Sequence, residues 1–392
     1  MITALAVENY RSLRRLIVPL GRLNIVTGAN GSGKSSLYRA LRLLADSSRN
    51  GAIAALAQEG GLPSALWAGP EKLGRSVREG RHPVQGTVST GPARLLLGFA
   101  GDEFGYAVDL GMPVGTHSAF NLDPEIKREV IWTGPILRPA TLLTERGGTV
   151  VRIRSADGSW QEKHSFVQPF DSMLSELADP QRAPDILRVR EALRSWRFYD
   201  HVRTDARAPA RSAQIGTRTP VLSHDGSDVA AALQTILEIG DRAALEAAVE
   251  RAFPGSEVEI RNSDGRFELT LHQHGLLRPL RAPELSDGTL RYLLWIAALL
   301  TPRPPALLVL NEPETSLHPE LLRPLAELVI TAARHTQVVV VTHSRPFAAA
   351  LEQSAAANGT DAHLIELVKE FGQTTVADQG ILDEPPWQWP KR

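Results

Sequence analysis

The chain has 392 residues, 43% of them hydrophobic, with a formal net charge of -1. That length and apolar content support a sizeable core in one large domain or two smaller ones. The near-neutral balance excludes a global field drawing the protein onto nucleic acid or an anionic membrane. Cysteine is absent, which removes disulfides, thiolate catalysis and Cys-ligated zinc, and suits a reducing cytoplasm.

The opening Met1 to Tyr10 carries no basic stretch followed by an apolar run, so no secretory signal is read there. Leu5–Val7 and Leu16–Pro19 read as strands around the turn at Tyr10–Leu13, and Leu23–Thr27 as a buried strand running into Gly28. Ser35–Leu44 has helical spacing at Leu37, Ala40, Leu41 and Leu44. About 46–90 is rich in Gly, Ala and polar residues, and is expected to be a helical arm or loop. Ala93–Phe99, Phe104–Leu110, Glu129–Thr133 and Thr149–Ser155 read as an antiparallel sheet. Helices are expected at Asp171–Leu177, Asp185–Ser195, Asp228–Ile239 and Ala243–Ala252, and a hairpin joins Glu257–Arg261 to Phe267–Leu271. The last third alternates helix Thr289–Leu300, strand Leu307–Leu310, helix Pro319–Ala333 and strand Gln337–Val341, which implies a parallel sheet covered by helices. The apolar run Leu290–Leu300 contains Arg291 and is too short to span a bilayer, so no membrane partner is expected.

Gly28-Ala29-Asn30-Gly31-Ser32-Gly33-Lys34-Ser35 matches G-x-x-x-x-G-K-[ST] and lies between a strand and a helix. Such glycines let successive backbone N–H groups turn inward around phosphates. Lys34 is expected on the β- and γ-phosphates of ATP and the Ser35 hydroxyl on Mg²⁺. Asn30, Gly31, Ser32, Gly33 and Ser36 complete the expected nucleotide contacts at the positive end of the helix.

Strand Leu307–Leu310 ends in Asn311-Glu312-Pro313-Glu314. A P-loop ATPase places an Asp near Mg²⁺ here, followed by a Glu. Asn311 reaches the metal only through a water and brings no charge, whereas Glu312 is the candidate to deprotonate the attacking water. The run Val338–Val341 ends in Thr342-His343-Ser344, which puts His343 at the ligand edge of a parallel sheet as a second catalytic candidate. Glu284-Leu285-Ser286-Asp287-Gly288-Thr289 opens the long apolar helix, with Ser286 as N-cap or as a phosphate contact.

In this order the motifs, with Leu317-His318-Pro319, the opening Asn9–Leu13 and the segment Leu222–Val229, resemble the ABC-type ATPases of the RecF, SMC and OLD group. The resemblance spans most of the chain and is specific at the four nucleotide motifs. It implies an α/β P-loop NTPase of ABC-ATPase-head architecture, with a mixed sheet, an antiparallel β subdomain and a helical lobe. It further implies an ATP-dependent homodimer in which Ser286, Asp287 and Gly288 act in trans and Thr315–Ser316 lie at the seam. A metal-linking Gln is part of the pattern, with Gln168 as first candidate and Gln161 as second. Asp287 and Thr289 stand where transporters carry Gly and Gln, no long heptads or zinc hook are present, and little chain follows His343. A stand-alone, RecF-like head is therefore expected across 1–392. Its parts are a P-loop lobe at 1–175, a helical lobe at 176–255 and the signature, Asn-Glu and His core at 256–392.

Arg188, Arg190, Arg194, Arg197, Arg203, Arg207, Arg211 and Arg218 interleave with Trp196, Phe198, Tyr199 and His201. A nucleic-acid grip is one reading; a solvated helix face and loop in an Arg-biased chain is the one favoured. The function expected first is an ATPase of DNA repair or genome maintenance. The alternative is a slow or non-hydrolysing ATP-gated switch beside a separate effector nuclease in anti-phage defence. A small-molecule P-loop kinase ranks third.

Overall fold

Continuous apolar runs decide where the sheets lie, and helical spacing decides what covers them. The computed structural model describes residues 1–392 except 50, 71–93, 115–118, 156, 164–166, 178, 201, 381 and 392. Two compact units result: Met1–Gly21, Gly28–Trp196 and Ile365–Arg392 form the first, Arg22–Thr27 and Arg197–Leu364 the second.

The first unit is built on an eight-stranded antiparallel sheet. Its order is Leu13–Pro19, Ile2–Tyr10, Arg94–Gly101, Phe104–Gly111, Glu125–Thr133, Leu142–Gly147, Val150–Arg154 and Trp160–Lys163. The strand Arg94–Gly101 is buried at all but its first residue, so both faces of the sheet are covered there. Helix Lys34–Ser47 covers one, packing on strands Ile2–Tyr10 and Arg94–Gly101 and on helix Pro184–Ser195. Its Leu37, Leu41 and Leu44 are buried at the spacing that one helix face requires. On an apolar patch of Ala4, Ala100, Ala107, Val130 and Trp132 lie Trp387 and Trp389 of the C-terminal tail. Trp387 meets Trp132 edge-on at 5.7 Å between ring centroids.

The second unit holds four parallel strands in the order Arg197–Tyr199, Leu307–Asn311, Gln337–Val341 and Leu23–Gly28, the last of which belongs to it through Thr27. The register pairs Asn311 with Val341 and Val341 with Val26, so three of them end level. Helices Asp287–Leu299, Leu322–Ala333 and Arg345–Ala357 contribute Trp295, Leu325 and Phe347 to one core with Leu23, Ile25, Leu308 and Val340. Helices Val229–Ile239 and Arg242–Ala252 pack on the antiparallel strands Glu257–Ser263 and Arg266–His272.

The expected fold class stands, with local differences. The helix read at Asp171–Leu177 is one turn, Met173–Glu176, capped by Ser172. Pro319–Leu321 is a 3-10 turn, and the α-helix begins only at Leu322. The arm begins as helices Ala52–Gln58 and Leu62–Ala65, and its remainder from 71 lies outside the described residues. The contiguous lobes 1–175, 176–255 and 256–392 do not coincide with the two units. Strand Leu23–Gly28 takes its hydrogen bonds inside the parallel sheet and so joins the second unit through Thr27, while Ile365–Arg392 returns to the first.

Candidate functional site

The loop begins where the parallel strand ends, at Gly28, with φ 143°. A Cβ there would lie 2.3 Å from the Leu367 carbonyl and 2.6 Å from the Ser32 hydroxyl, and one on Gly33 (φ 110°) would lie 2.2 Å from Thr374 Oγ1. Only glycine meets both the torsion and the space. Thr374 is buried and anchors the loop: its hydroxyl donates to the Ser32 carbonyl at 2.7 Å and lies 2.8 Å from the Ser12 hydroxyl, which supplies the other proton. Lys34 is buried, and its Nζ donates back across the loop to the carbonyls of Gly28 (2.6 Å) and Ala29 (3.1 Å). Asn30, Gly31 and Ser35 are exposed and Ser36 half-buried.

These residues fit a bound triphosphate. Helix Lys34–Ser47 starts at Gly33 without a side-chain cap, and a helix N-terminus is an end that favours an anion. The Ser32 hydroxyl is buried and finds no hydrogen-bond partner among the described residues. A buried ammonium, an orphaned hydroxyl and a helix N-terminus form the donor set a phosphate satisfies.

In the second unit, Asn311 closes its strand and Glu312 takes φ 49°, a left-handed torsion that a non-glycine residue holds only against strain. The Glu312 amide donates to the Val341 carbonyl at 2.8 Å, and the Thr342 amide to the Val26 carbonyl at 3.0 Å. The sheet ladder thus runs on past the strand ends and fixes both side chains at the carboxyl edge, where open α/β sheets bind ligands. His343 Nδ1 stands 3.3 Å from Glu312 Oε1 and 4.0 Å from Glu314 Oε1. The Glu314 carboxyl is buried, and its Oε1 accepts from the Thr342 hydroxyl while its Oε2 has no hydrogen-bond partner among the described residues. Burial pushes its pKa above the usual carboxylate range, against the Thr342 hydrogen bond that lowers it. Sequence reasoning placed no role on Glu314; its only signal was a second carboxylate two residues after Glu312.

Ser286 caps helix Asp287–Leu299, its Oγ accepting from the Thr289 amide at 3.1 Å. Ser286, Gly288 and Thr289 share a cavity of about 770 Å³ with Phe253, Ser316 and Leu317. Ser286, Gly288 and Ser316 therefore face one opening, and a Cβ on Gly288 would lie 3.2 Å from the Ser316 carbonyl.

Gln168 is exposed, and its carbonyl accepts from Arg146 Nη2 at 2.7 Å; Gln161 lies on the edge strand Trp160–Lys163. Arg146 is itself buried against Glu129 (3.4 Å), which also accepts from Tyr106 at 2.7 Å and from the Met173 amide at 2.9 Å. A buried ion pair thus holds the backbone of the Gln168 segment. The segment Leu222–Val229 is a polar turn whose Asp228 accepts from the Ser223 amide at 2.9 Å.

The Arg-rich span needs correction on two points. Trp196, Phe198 and Tyr199 are core residues, buried to within 3% of full, and so are unavailable for stacking on bases. Arg211 is not on a solvated surface: its side chain is 8% exposed and its guanidinium is filled by hydrogen bonds. Arg194 donates to the Ser48 carbonyl and Arg203 to Asp205, while His201 lies outside the described residues.

Residues 23–350 match the family model described as "AAA domain, putative AbiEii toxin, Type IV TA system". The chain belongs to this AAA-domain family. The AAA-domain chain is also similar to solved structures. One is an SMC head bound to the C-terminal winged-helix domain of ScpA, at 13% identity and TM-score 0.50, covering 97% of this chain and 98% of that one. Others are an SMC head domain from Thermotoga maritima (15%, TM-score 0.45, covering 97% and 99%) and one from Pyrococcus furiosus with an extended coiled coil bound to the C-terminal domain of ScpA (12%, 0.47, covering 96% and 95%). No curated protein matches. The AAA-domain assignment and the first likeness establish a P-loop ATPase fold of the ABC and SMC-head type. Among the described residues no helix is long and apolar enough to cross a membrane.

Proposed function

We propose that this chain hydrolyses ATP with Mg²⁺ and dimerises around the nucleotide through Ser286–Gly288. The observation that carries the reading is the pair Glu312 and His343, 3.3 Å apart at the carboxyl edge of a parallel sheet, with Glu312 held in a strained torsion. Glu312 is the general base for the attacking water and His343 orients it, while Lys34 and the loop amides bind the triphosphate. Ser35 is the metal ligand, with Asn311 as the water-mediated one and Gln168 as the metal-linking Gln. These assignments follow the order of motifs along the chain. Mg²⁺, when bound, neutralises charge on the β- and γ-oxygens.

Steady-state hydrolysis by wild type and Glu312→Gln tests this. The variant should lose a factor of about 10²–10⁴ in kcat, keep its ATP affinity, and sediment as a dimer with ATP and Mg²⁺. Wild type hydrolysing no faster than the variant would remove Glu312 as base.

Asn311 favours a second reading: a slow, cytoplasmic ATP-gated switch that acts on a separate effector, the setting that the toxin–antitoxin wording of the family description also suits. On that reading Asn311→Asp tightens Mg²⁺ and speeds turnover. Unchanged Mg²⁺ dependence would count against it. A role in DNA repair keeps only the general likeness of the fold, since the aromatic residues of the Arg-rich span are buried.

A further inference from the structure

The guanidinium of Arg211 sits in the 3-10 turn Pro209–Arg211, and almost every donor on it is used. Nε donates to the carbonyls of Thr204 (2.8 Å) and Asp205 (3.1 Å). Nη1 donates to those of Ala282 (2.9 Å), Pro283 (3.3 Å) and Leu285 (2.7 Å), and Nη2 to Asp287 Oδ1 at 2.6 Å. The acceptors on the far side bracket Ser286: three carbonyls precede it and one carboxylate follows it. One turn further on, Arg291 donates to the Thr315 carbonyl (3.0 Å), the Val202 carbonyl (3.2 Å) and Thr204 Oγ1 (3.3 Å). Thr204 is thus shared between the two arginines.

A buried, heavily hydrogen-bonded guanidinium costs desolvation, and apolar residues would fill the same core as well. What its planar fork supplies instead is geometry, because five fixed donors hold several carbonyls at once. The carbonyls it holds belong to the connector that sets where Ser286 Oγ and the amides after it point. We infer that Arg211 is a positioning residue for the signature: with Arg291 it locks residues 282–289 and Thr315–Ser316 into one face, presented together to a second copy. Signature and seam then engage the opposite nucleotide as a unit, instead of ordering separately at a cost in association. This rests on the proposed reading of Ser286–Gly288 as the trans contact.

The experiment uses the full chain carrying Glu312→Gln, alone and with Arg211→Met or Arg211→Lys. Hydrogen exchange should rise about tenfold or more at 285–289 in the Met variant, with the parallel-sheet strands unchanged. The ATP-driven association constant should fall about tenfold or more, while the Kd of the monomer for a fluorescent ATP analogue stays within about twofold. Lys, which keeps the charge but not the fork, should give intermediate values, and it decides the matter by the same readings where Met does not fold. Unchanged exchange at 285–289, or exchange raised evenly across the unit, overturns the inference. If the parent itself stays monomeric, the dimer reading falls and exchange alone judges Arg211.

Discussion

Gly33→Ala tests how far the phosphate loop depends on its packing. The backbone at Gly33 lies at φ 110°, which costs an L-residue about 1–3 kcal/mol. The new methyl would sit 2.2 Å from Thr374 Oγ1 and 2.8 Å from its Cγ2, and Thr374 cannot withdraw freely because it is fully buried and bonded to Ser12 and Ser32. Overpacking of this kind adds about 1–3 kcal/mol, for a total of about 2–6 kcal/mol. Urea denaturation of wild type, Gly33→Ala, Thr374→Ala and the double variant measures both parts. The double variant should be more stable than the sum of the singles implies by about 1–2 kcal/mol, since Thr374→Ala removes the two closest atoms. Gly31→Ala is the control: φ is 78°, but among the described residues no atom lies within 4 Å of the added carbon, so only the torsional cost remains. Additive singles, or equal losses at Gly31 and Gly33, would refute the packing argument.

Two further outcomes follow from buried charge. Glu314 holds its proton to higher pH folded than unfolded, so its ionisation subtracts stability as pH rises from the ordinary carboxylate value through its raised one. Glu314→Gln should therefore match wild type in acid and exceed it in stability above that window, by denaturation at a series of pH values; a variant less stable at neutral pH than in acid, relative to wild type, contradicts this. Arg146→Met leaves the fully buried Glu129 without its cation, the Asp171 carbonyl without its arginine donor and the Gln168 carbonyl with only the Asp171 amide. It should cost about 3–5 kcal/mol in urea denaturation, and a loss under about 1 kcal/mol would show the pair to be dispensable.

What the chain alone determined is what local rules govern. The glycine loop follows from torsion and phosphate chemistry, the Ser286 cap from orphan amides, and the strands ending at Asn311 and Val341 from apolar runs closed by polar residues. Each is settled within about a dozen residues. Tertiary structure decided the features that join distant segments. Thr374 supports Gly33 from across more than 300 residues, Arg211 holds the connector before Ser286 and is no surface cation, Trp196, Phe198 and Tyr199 are core, and Glu314 is buried with half its carboxyl unpartnered among the described residues. Burial and hydrogen-bond partners are properties of the packed chain, so an arginine in a basic run reads the same in sequence whether water or five carbonyls surround it.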